Sequence, residues 1–329
     1  MASRSLVAIV DAVDRGFPDL RPDLREAAEI ARLVQVPGVQ ELEPHLPDLE
    51  AVFAWNFDRS TLRDLVPRAP QLRWIQSISA GVEDLVSPAL AAHGVTLTNA
   101  AGVYDPALAE SVLGFLLAFS TRILEDARLE PGAWPHEGTR LLRGTTVLVV
   151  GAGSIGSEVG RLLRSAGLRV RGVARSARPP DGVFESIAAP EALLGELSAA
   201  DHVVNVLPIT PATRGIFDAK AFAAMRSSAV FVNIGRGATV DESALEKALR
   251  GGVIAGAALD VFEVEPLPAE SPLWRMPNVL VSPHRAGDHE GWEADVVALF
   301  VENLRRFVAG EPLRNVVDVE LGYAPGGRS

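Results

Sequence analysis

The 329-residue sequence contains no cysteine. Disulfides, thiolate metal sites and a cysteine nucleophile are thereby excluded, and a reducing compartment fits. Nor is there an apolar run near the roughly 20 residues a membrane helix needs. The best stretch, Val112 to Phe119, suits a buried helix. A signal peptide is not expected either: the run Leu6–Val10 ends at Asp11 and reads as a first strand. Cytoplasm is the default location. There is no excess of positive charge, since the formal net charge is -11 with Lys and Arg scattered. Binding to nucleic acid or to an anionic membrane is therefore not expected. Solenoid-length repeats and low-complexity segments are absent. What is present is 48% hydrophobic residues, enough for substantial cores, in a chain long enough for two domains.

Apolar patterning predicts strands at Leu6–Val10, Ala51–Ala54, Leu72–Ile78 and Val95–Thr98, with a helix over Asp23–Leu33 between the first two. Alternation of this kind implies a parallel sheet. A long helix is predicted from Pro106 to Leu124, with Asp105 as N-cap and Pro106 in the first turn. A loop rich in Pro and Gly, Glu130 to Gly144, comes next. A second series of strands follows: Thr145–Val150, Arg169–Ala174, His202–Val206, Val230–Ile234, Ala255–Asp260 and Val279–Ser282. The last helix, about Glu290 to Ala309, has no strand series of its own to cover. It is expected to pack back on the first domain, making that domain discontinuous.

Gly151-Ala152-Gly153-Ser154-Ile155-Gly156 directly follows the strand Thr145–Val150 and opens a helix. Strand, G-x-G-x-x-G and helix in this order form a dinucleotide fingerprint. Gly151 permits the tight turn, Gly153 lets a pyrophosphate approach, and Gly156 lets helix and strand pack closely. The helix N-terminus offers free N–H groups to the phosphates. The competing reading, a nucleophile elbow around Ser154, fails on spacing because residue 152 is Ala.

Three further segments carry titratable residues beyond strand ends, which face the ligand crevice in open α/β sheets. They are Phe231–Gly237 with Val240-Asp241-Glu242, Ala258–Pro266, and Val281–Gly287. Singly, Arg236 reads as a solvated cation, Glu265 as a loop residue and His284 as a structural histidine. After a dinucleotide turn, the set resembles the D-isomer-specific, NAD(P)-dependent 2-hydroxyacid dehydrogenases. The resemblance is strong from Gly144 to Gly287. Milder matches are Ser77–Val82, Ala109-Glu110, Trp134 and Pro208–Thr213.

The resemblance implies an α/β fold of two doubly wound domains. A Rossmann-type cofactor domain (101–287) is inserted into a flavodoxin-like, discontinuous substrate domain (1–100 and 288–329). It implies that Arg236 binds the substrate carboxylate and polarises its C2 carbonyl, which suits a planar guanidinium. His284 becomes the general acid in reduction and the base in oxidation, oriented by Glu265. Ala80 and Gly81 offer backbone N–H groups to the substrate carboxylate. Ser154 and Ile155 cover the pyrophosphate, Pro208 and Thr213 line the dinucleotide cleft, and Ile234 and Asp260 face the nicotinamide, with Asp260 taking its carboxamide. The implied reaction is reduction of a small 2-oxo acid, glyoxylate or hydroxypyruvate among the candidates, to its D-2-hydroxy acid. The implied assembly is a homodimer formed through the cofactor domain. A dinucleotide-sensing corepressor-like protein and a formate- or phosphite-type dehydrogenase remain alternatives.

NAD-preferring sites carry Asp or Glu about 20 residues beyond the glycine turn. Here that strand end carries Arg175 and Ser176, with Arg178 close behind. This suits a 2′-phosphate, so NADP(H) is the expected cofactor, with NAD(H) possible. Glu83 stands where the family often has Asp, and Arg285 where an apolar residue is usual; neither removes a catalytic group. Trp55 and Phe57 follow a strand end and either shape the pocket or fill the core. The remaining histidines have no ligand-like spacing, so no metal is expected.

Overall fold

A computed structural model describes residues 4–11, 24–56, 62, 64–319 and 321–324. Phe57 lies outside them. The chain divides into two compact units: Met1–Tyr104 with Glu290–Ser329, and Asp105–His289. Among the described residues, no helix is long and apolar enough to cross a membrane.

The first unit is built on strands β1 (Leu6–Asp11), β2 (Arg32–Val36), β3 (Leu49–Asn56), β4 (Trp74–Ser77) and β5 (Thr96–Thr98), in the parallel order β2-β1-β3-β4-β5. This is the flavodoxin-like order expected. β1 over Leu6–Val10 and β3 over Ala51–Trp55 are buried on both faces, which is why each stretch is a continuous apolar run. Helix α1 spans Leu24–Ile30 and α2 spans Pro88–Ala92. The predicted helix to Leu33 is corrected here, because the chain leaves α1 and enters β2 at Arg32. β2 pairs only with β1, and only Val36 of it is buried, so no alternating apolar signal marks it.

The C-terminal helix, Trp292–Ala309, belongs to this unit. Val296, Phe300 and Leu304 lie in one core with Ile9, Phe53 and Trp74, and Phe300 stacks on Phe53 at 4.2 Å between ring centroids. A buried polar chain ties the helix to the sheet. Trp74 Nε1 donates to Thr98 Oγ1 (2.8 Å), and Thr98 Oγ1 and Asn303 Nδ2 both donate to Gln76 Oε1 (2.8 and 2.9 Å). Burial is tolerated because these groups are paired.

The second unit carries β6 (Thr146–Val150), β7 (Arg169–Val173), β8 (Ser186–Ala188), β9 (His202–Asn205), β10 (Val230–Asn233), β11 (Gly256–Leu259) and β12 (Val279–Val281). Their parallel order is β12-β11-β10-β9-β6-β7-β8. The order reverses between β6 and β9, the switch point at which Rossmann sheets bind ligands. The edge strand β8 was not expected; it has three residues, and only Ile187 is buried.

Helix α3 spans Asp105–Ser120, and a second helix, α4, spans Ile123–Asp126. The predicted continuous helix to Leu124 is thus corrected: Arg122 takes a left-handed φ of 63° between them. The hydroxyls of Ser120 and Thr121 both donate to the Leu117 carbonyl, competing with the helical ladder at that point. The remaining helices are α5 (Ser154–Ser165), α6 (Leu193–Ala199), α7 (Ala219–Ala224) and α8 (Glu242–Arg250).

His202, in the centre of the sheet, is buried and its Nδ1 has no hydrogen-bond partner. Burial pushes its pKa from 6.5 down to about 4, against the opposing pull of Asp201. The unfolded chain therefore binds a proton that the fold refuses between these pH values, and stability falls as pH drops through that window. The expected loss is about 3 kcal/mol at 1.36 kcal/mol per pKa unit. Thermal unfolding followed from pH 7 to 4 should be less steep with pH in His202→Gln than in the native protein. Equal slopes would remove His202 as the cause.

Candidate active site

The glycine turn is constrained at two of its three glycines and open at the third. Gly151 has φ +114°, and a β-carbon there would come within 3.1 Å of the Val206 carbonyl. At Gly156 a β-carbon would come within 2.0 Å of the Gly151 oxygen, so close packing of α5 on β6 requires glycine. A β-carbon at Gly153 would meet nothing within 4 Å. That empty space lies at the N-terminus of the 12-residue α5, whose first-turn N–H groups lack intrahelical partners. A cradle of bare backbone and free donors fits a dinucleotide pyrophosphate.

Ser154 and Ile155 are the first residues of α5. The Ser154 hydroxyl donates to the buried Asp105 carboxylate at the head of α3. The hydroxyl proton is thereby committed, so the proton Ser154 has left to offer an anion is its main-chain N–H, a division of labour not visible in the motif. Arg175 and Ser176 are exposed just beyond β7. Arg178 instead bends back, its guanidinium donating to the Ala152 carbonyl at 2.8 Å and so bracing the glycine turn. After β9, the Thr213 hydroxyl donates to the Pro208 carbonyl at 2.7 Å and accepts from Thr210 N at 2.8 Å, closing that loop on itself. Ile234 follows β10, is buried, and donates its N–H to Asn205 O at 3.1 Å.

Arg236, Glu265 and His284 come together in the second unit. Arg236 follows β10 in extended conformation. Its carbonyl accepts from Thr239 Oγ1 at 2.6 Å and Asn233 Nδ2 at 3.4 Å. A buried trio anchors this turn, with Asn205 Nδ2 donating to Asn233 Oδ1 (2.9 Å) and to Thr239 Oγ1 (2.7 Å). Glu265 Oε1 accepts from Phe262 N at 2.9 Å, and Oε2 lies 2.6 Å from His284 Nδ1. With Nδ1 engaged, Nε2 is the nitrogen available for proton exchange with a substrate.

His284 has φ +50°, a left-handed conformation that costs energy for a non-glycine residue. Asp260 holds it there. His284 N donates to Asp260 O at 2.8 Å. The buried Asp260 carboxylate accepts from the Ser282 hydroxyl, from Arg285 N (3.0 Å) and from Ala286 N (3.1 Å). Asp260 thus fixes the histidine turn, a task the sequence did not reveal for it. Its remaining acceptor capacity is what a carboxamide could use.

Hydrogen bonding to Glu265 raises the His284 pKa, with burial and the Arg236 charge opposing and the Glu265 and Asp260 charges supporting. The Glu265 pKa is lowered in total: burial acts upward, and the His284 and Phe262 bonds with the nearby cations outweigh it. Such a pair favours imidazolium beside carboxylate, the arrangement of a general acid held in place.

Ala80 and Gly81 lie in the first unit, in the loop after β4, where Asn99 Nδ2 donates to Ala80 O at 2.7 Å. Trp55 is buried, packs against Trp292 with centroids 5.7 Å apart, and leaves its Nε1 without a partner. Of the two readings for Trp55, core filling is the one its burial satisfies.

The sequence model for the NAD-binding domain of D-isomer specific 2-hydroxyacid dehydrogenases matches residues 113–286. A glyoxylate reductase of Aeropyrum pernix is 32% identical over 298 residues, 87% of this chain and 88% of that protein. The D-isomer specific 2-hydroxyacid dehydrogenase of Xanthobacter autotrophicus Py2, solved in complex with NADPH and MES, is 34% identical, with a TM-score of 0.83 over 98% of this chain and all of that one. The NADPH-dependent glyoxylate/hydroxypyruvate reductase of Sinorhizobium meliloti, solved with NADP and sulfate, is 29% identical, with a TM-score of 0.82 over 97% of this chain and all of that one. Fold and constellation together define the class of Rossmann-fold, dinucleotide-dependent dehydrogenases. Within that class, the chain belongs to the D-isomer specific 2-hydroxyacid dehydrogenase family.

Proposed function

We propose that the protein reduces a small 2-oxo acid, of the glyoxylate or hydroxypyruvate kind, to its 2-hydroxy acid with NADPH, giving the D-isomer wherever C2 becomes a stereocentre. The observation that carries this reading is the 2.6 Å pairing of His284 Nδ1 with Glu265 in the unit that also presents Arg236 and the glycine cradle. Arg236 binds the carboxylate and polarises the carbonyl through a fixed, permanently charged fork. His284 Nε2 passes its proton to the carbonyl oxygen, and Glu265 stabilises the imidazolium that gives it up. When bound, the nicotinamide supplies the hydride. Ala80 and Gly81 keep their assignment to substrate binding as part of the same proposal. So does the division of the chain into a substrate domain (the first unit) and a cofactor domain (the second).

The test is a panel of 2-oxo acids with NADPH and NADH, scoring turnover and, for every acid except glyoxylate, whose product is achiral, the chirality of the product. An L-product, or dinucleotide binding with no turnover on any 2-oxo acid, would sink the proposal; the second result would favour a sensor. The relatives solved with NADPH or NADP support the choice of cofactor. So does the exposed Arg175-Ser176 pair, where a carboxylate would repel a 2′-phosphate.

Arg175→Asp should lower the NADPH-to-NADH ratio of kcat/KM by roughly ten- to a hundredfold, since hydrogen bonds to charged groups contribute about 1.5–3 kcal/mol. An unchanged ratio would return Arg175 to the surface.

We further propose a cytoplasmic homodimer. Leu117, Ile123, Leu129, Trp134 and Leu141 expose large apolar side chains along α3, α4 and the following loop, with Trp134 83% exposed. Apolar surface of this kind is characteristic of an interaction site. Sedimentation as a monomer at micromolar concentration would contradict the dimer.

A further inference from the structure

Two turns carry the acid–base machinery of the second unit. One runs from Arg236 into α8, and the other runs from β11 through Phe262 and Glu263 to Glu265. Gly237 joins them with no room to spare. A β-carbon there would fall 1.8 Å from the Phe262 carbonyl carbon and 2.4 Å from Glu263 N. The bare backbone beside Arg236 thus lies directly against the backbone that carries Glu265.

A second tie crosses the same gap. Asp241 caps α8, its side chain accepting from Ala244 N at 2.9 Å. This places Glu242 as the first residue of the helix. The Glu242 carboxylate reaches out of α8 and accepts the N–H of Glu263. The neighbouring N–H, that of Phe262, is donated to Glu265 Oε1 at 2.9 Å. Two successive amides of one turn are therefore held by two carboxylates, one from outside the turn and one from within it.

The half-buried position of Glu242 is costly for a charge. Burial raises its pKa, as do the nearby Glu263 and Glu265, and the Glu263 N–H opposes them. A carboxylate kept beside two others needs a reason, and the turn it clamps provides one.

We propose that Glu242 is a positioning residue for the acid–base pair, holding the Phe262–Glu265 turn so that Glu265 stays in register with His284. This rests on the reading of Glu265 and His284 as the proton-transfer pair. It adds that their alignment is set from α8, through a residue outside the His284–Glu265 hydrogen bond.

The experiment compares Glu242→Ala, Glu242→Asp and Glu242→Gln in the full chain, with two readouts. The first is steady-state kinetics. The second is the pKa of the His284 imidazole followed by NMR, which does not depend on the substrate having been identified correctly. Gln keeps an acceptor oxygen at the same reach. Asp keeps the charge and the helix-start preference but is one methylene short. Ala and Asp should lower kcat by roughly 10- to 100-fold, the range expected when a supporting residue lets catalytic groups shift. KM for the dinucleotide should stay near its native value. In both variants the His284 pKa should fall toward that of an ordinary histidine, and Gln should retain most of both properties. If Ala does not fold, the Asp–Gln comparison decides. A native kcat and native His284 titration in Asp would overturn the proposal, as would a Gln variant as impaired as Asp. Native protein without turnover, but with the His284 shift moving as described, would fault the substrate reading and leave the positioning role standing.

Discussion

His284→Asn is expected to lower kcat for 2-oxo acid reduction by about 10²–10⁴-fold, the usual contribution of general acid–base catalysis, while NADPH affinity stays near native. Asn is the informative replacement. It tolerates the left-handed φ of +50° that this position requires, where Ala would add backbone strain. It can still hydrogen-bond to Glu265 but has no proton to give. Dinucleotide affinity should survive because the proposed cofactor site, made of the glycine cradle, α5 and Arg175, does not include His284. The pH dependence supplies a second readout. Glu265 raises the His284 pKa, so the imidazolium persists above the ordinary histidine range. Reduction needs that proton, so kcat should be flat at lower pH and fall as pH rises through the raised value. Oxidation needs the neutral ring and should rise over the same interval. In Glu265→Gln, the limb for reduction should move to lower pH. The same sign governs stability: the pairing contributes fully below the unfolded histidine pKa and is lost as pH passes the folded one. An Asn variant with most of its kcat, or a limb that does not move in Glu265→Gln, would refute the assignment.

Arg236→Lys should lower kcat/KM for 2-oxo acids by roughly 10- to 100-fold, because one charged hydrogen bond contributes about 1.5–3 kcal/mol. The charge survives this change but the geometry does not. A guanidinium presents two parallel donors to a carboxylate and can still polarise the adjacent carbonyl; an ammonium is a point charge on a flexible stem. The backbone beneath it leaves little room for compensation. The Arg236 carbonyl is pinned by Thr239 and Asn233, and Gly237 is jammed against Phe262. A Lys side chain therefore starts from a fixed Cα and cannot recover the second contact by moving the turn. Dinucleotide affinity should change little. A fully active Lys variant would make Arg236 a structural cation.

The strands that could be read in advance are the interior ones. β1, β3, β6 and β10 are buried on both faces along Leu6–Val10, Ala51–Trp55, Val147–Val150 and Val230–Val232, and burial of both faces selects such apolar runs. β2 and β8 escaped because each is an edge strand with one buried residue. Their existence depends on pairing with β1 and β7, which local patterning does not encode. The break at Arg122 was hidden for a related reason: Ser120 and Thr121 read as tolerable helix residues until their hydroxyls are seen on Leu117 O.

The dinucleotide turn was legible locally, whereas Arg236, Glu265 and His284 became candidates only through resemblance to a known family. The turn is a local signal, because glycine is needed wherever backbone meets backbone or phosphate; the other three stand beyond strand ends, the ligand side of a parallel sheet, but each has an ordinary reading when taken singly. Packing of distant segments sets which nitrogen of His284 is engaged, commits most of the Asp260 carboxylate to the histidine turn, and gives the Ser154 hydroxyl to Asp105. It alone placed Glu242 on the amide of Glu263. Each of these bonds spans 19 or more residues of sequence. A hydrogen bond needs its partners within about 3 Å in a set direction, and at such separations only the packing of strands and helices can supply that.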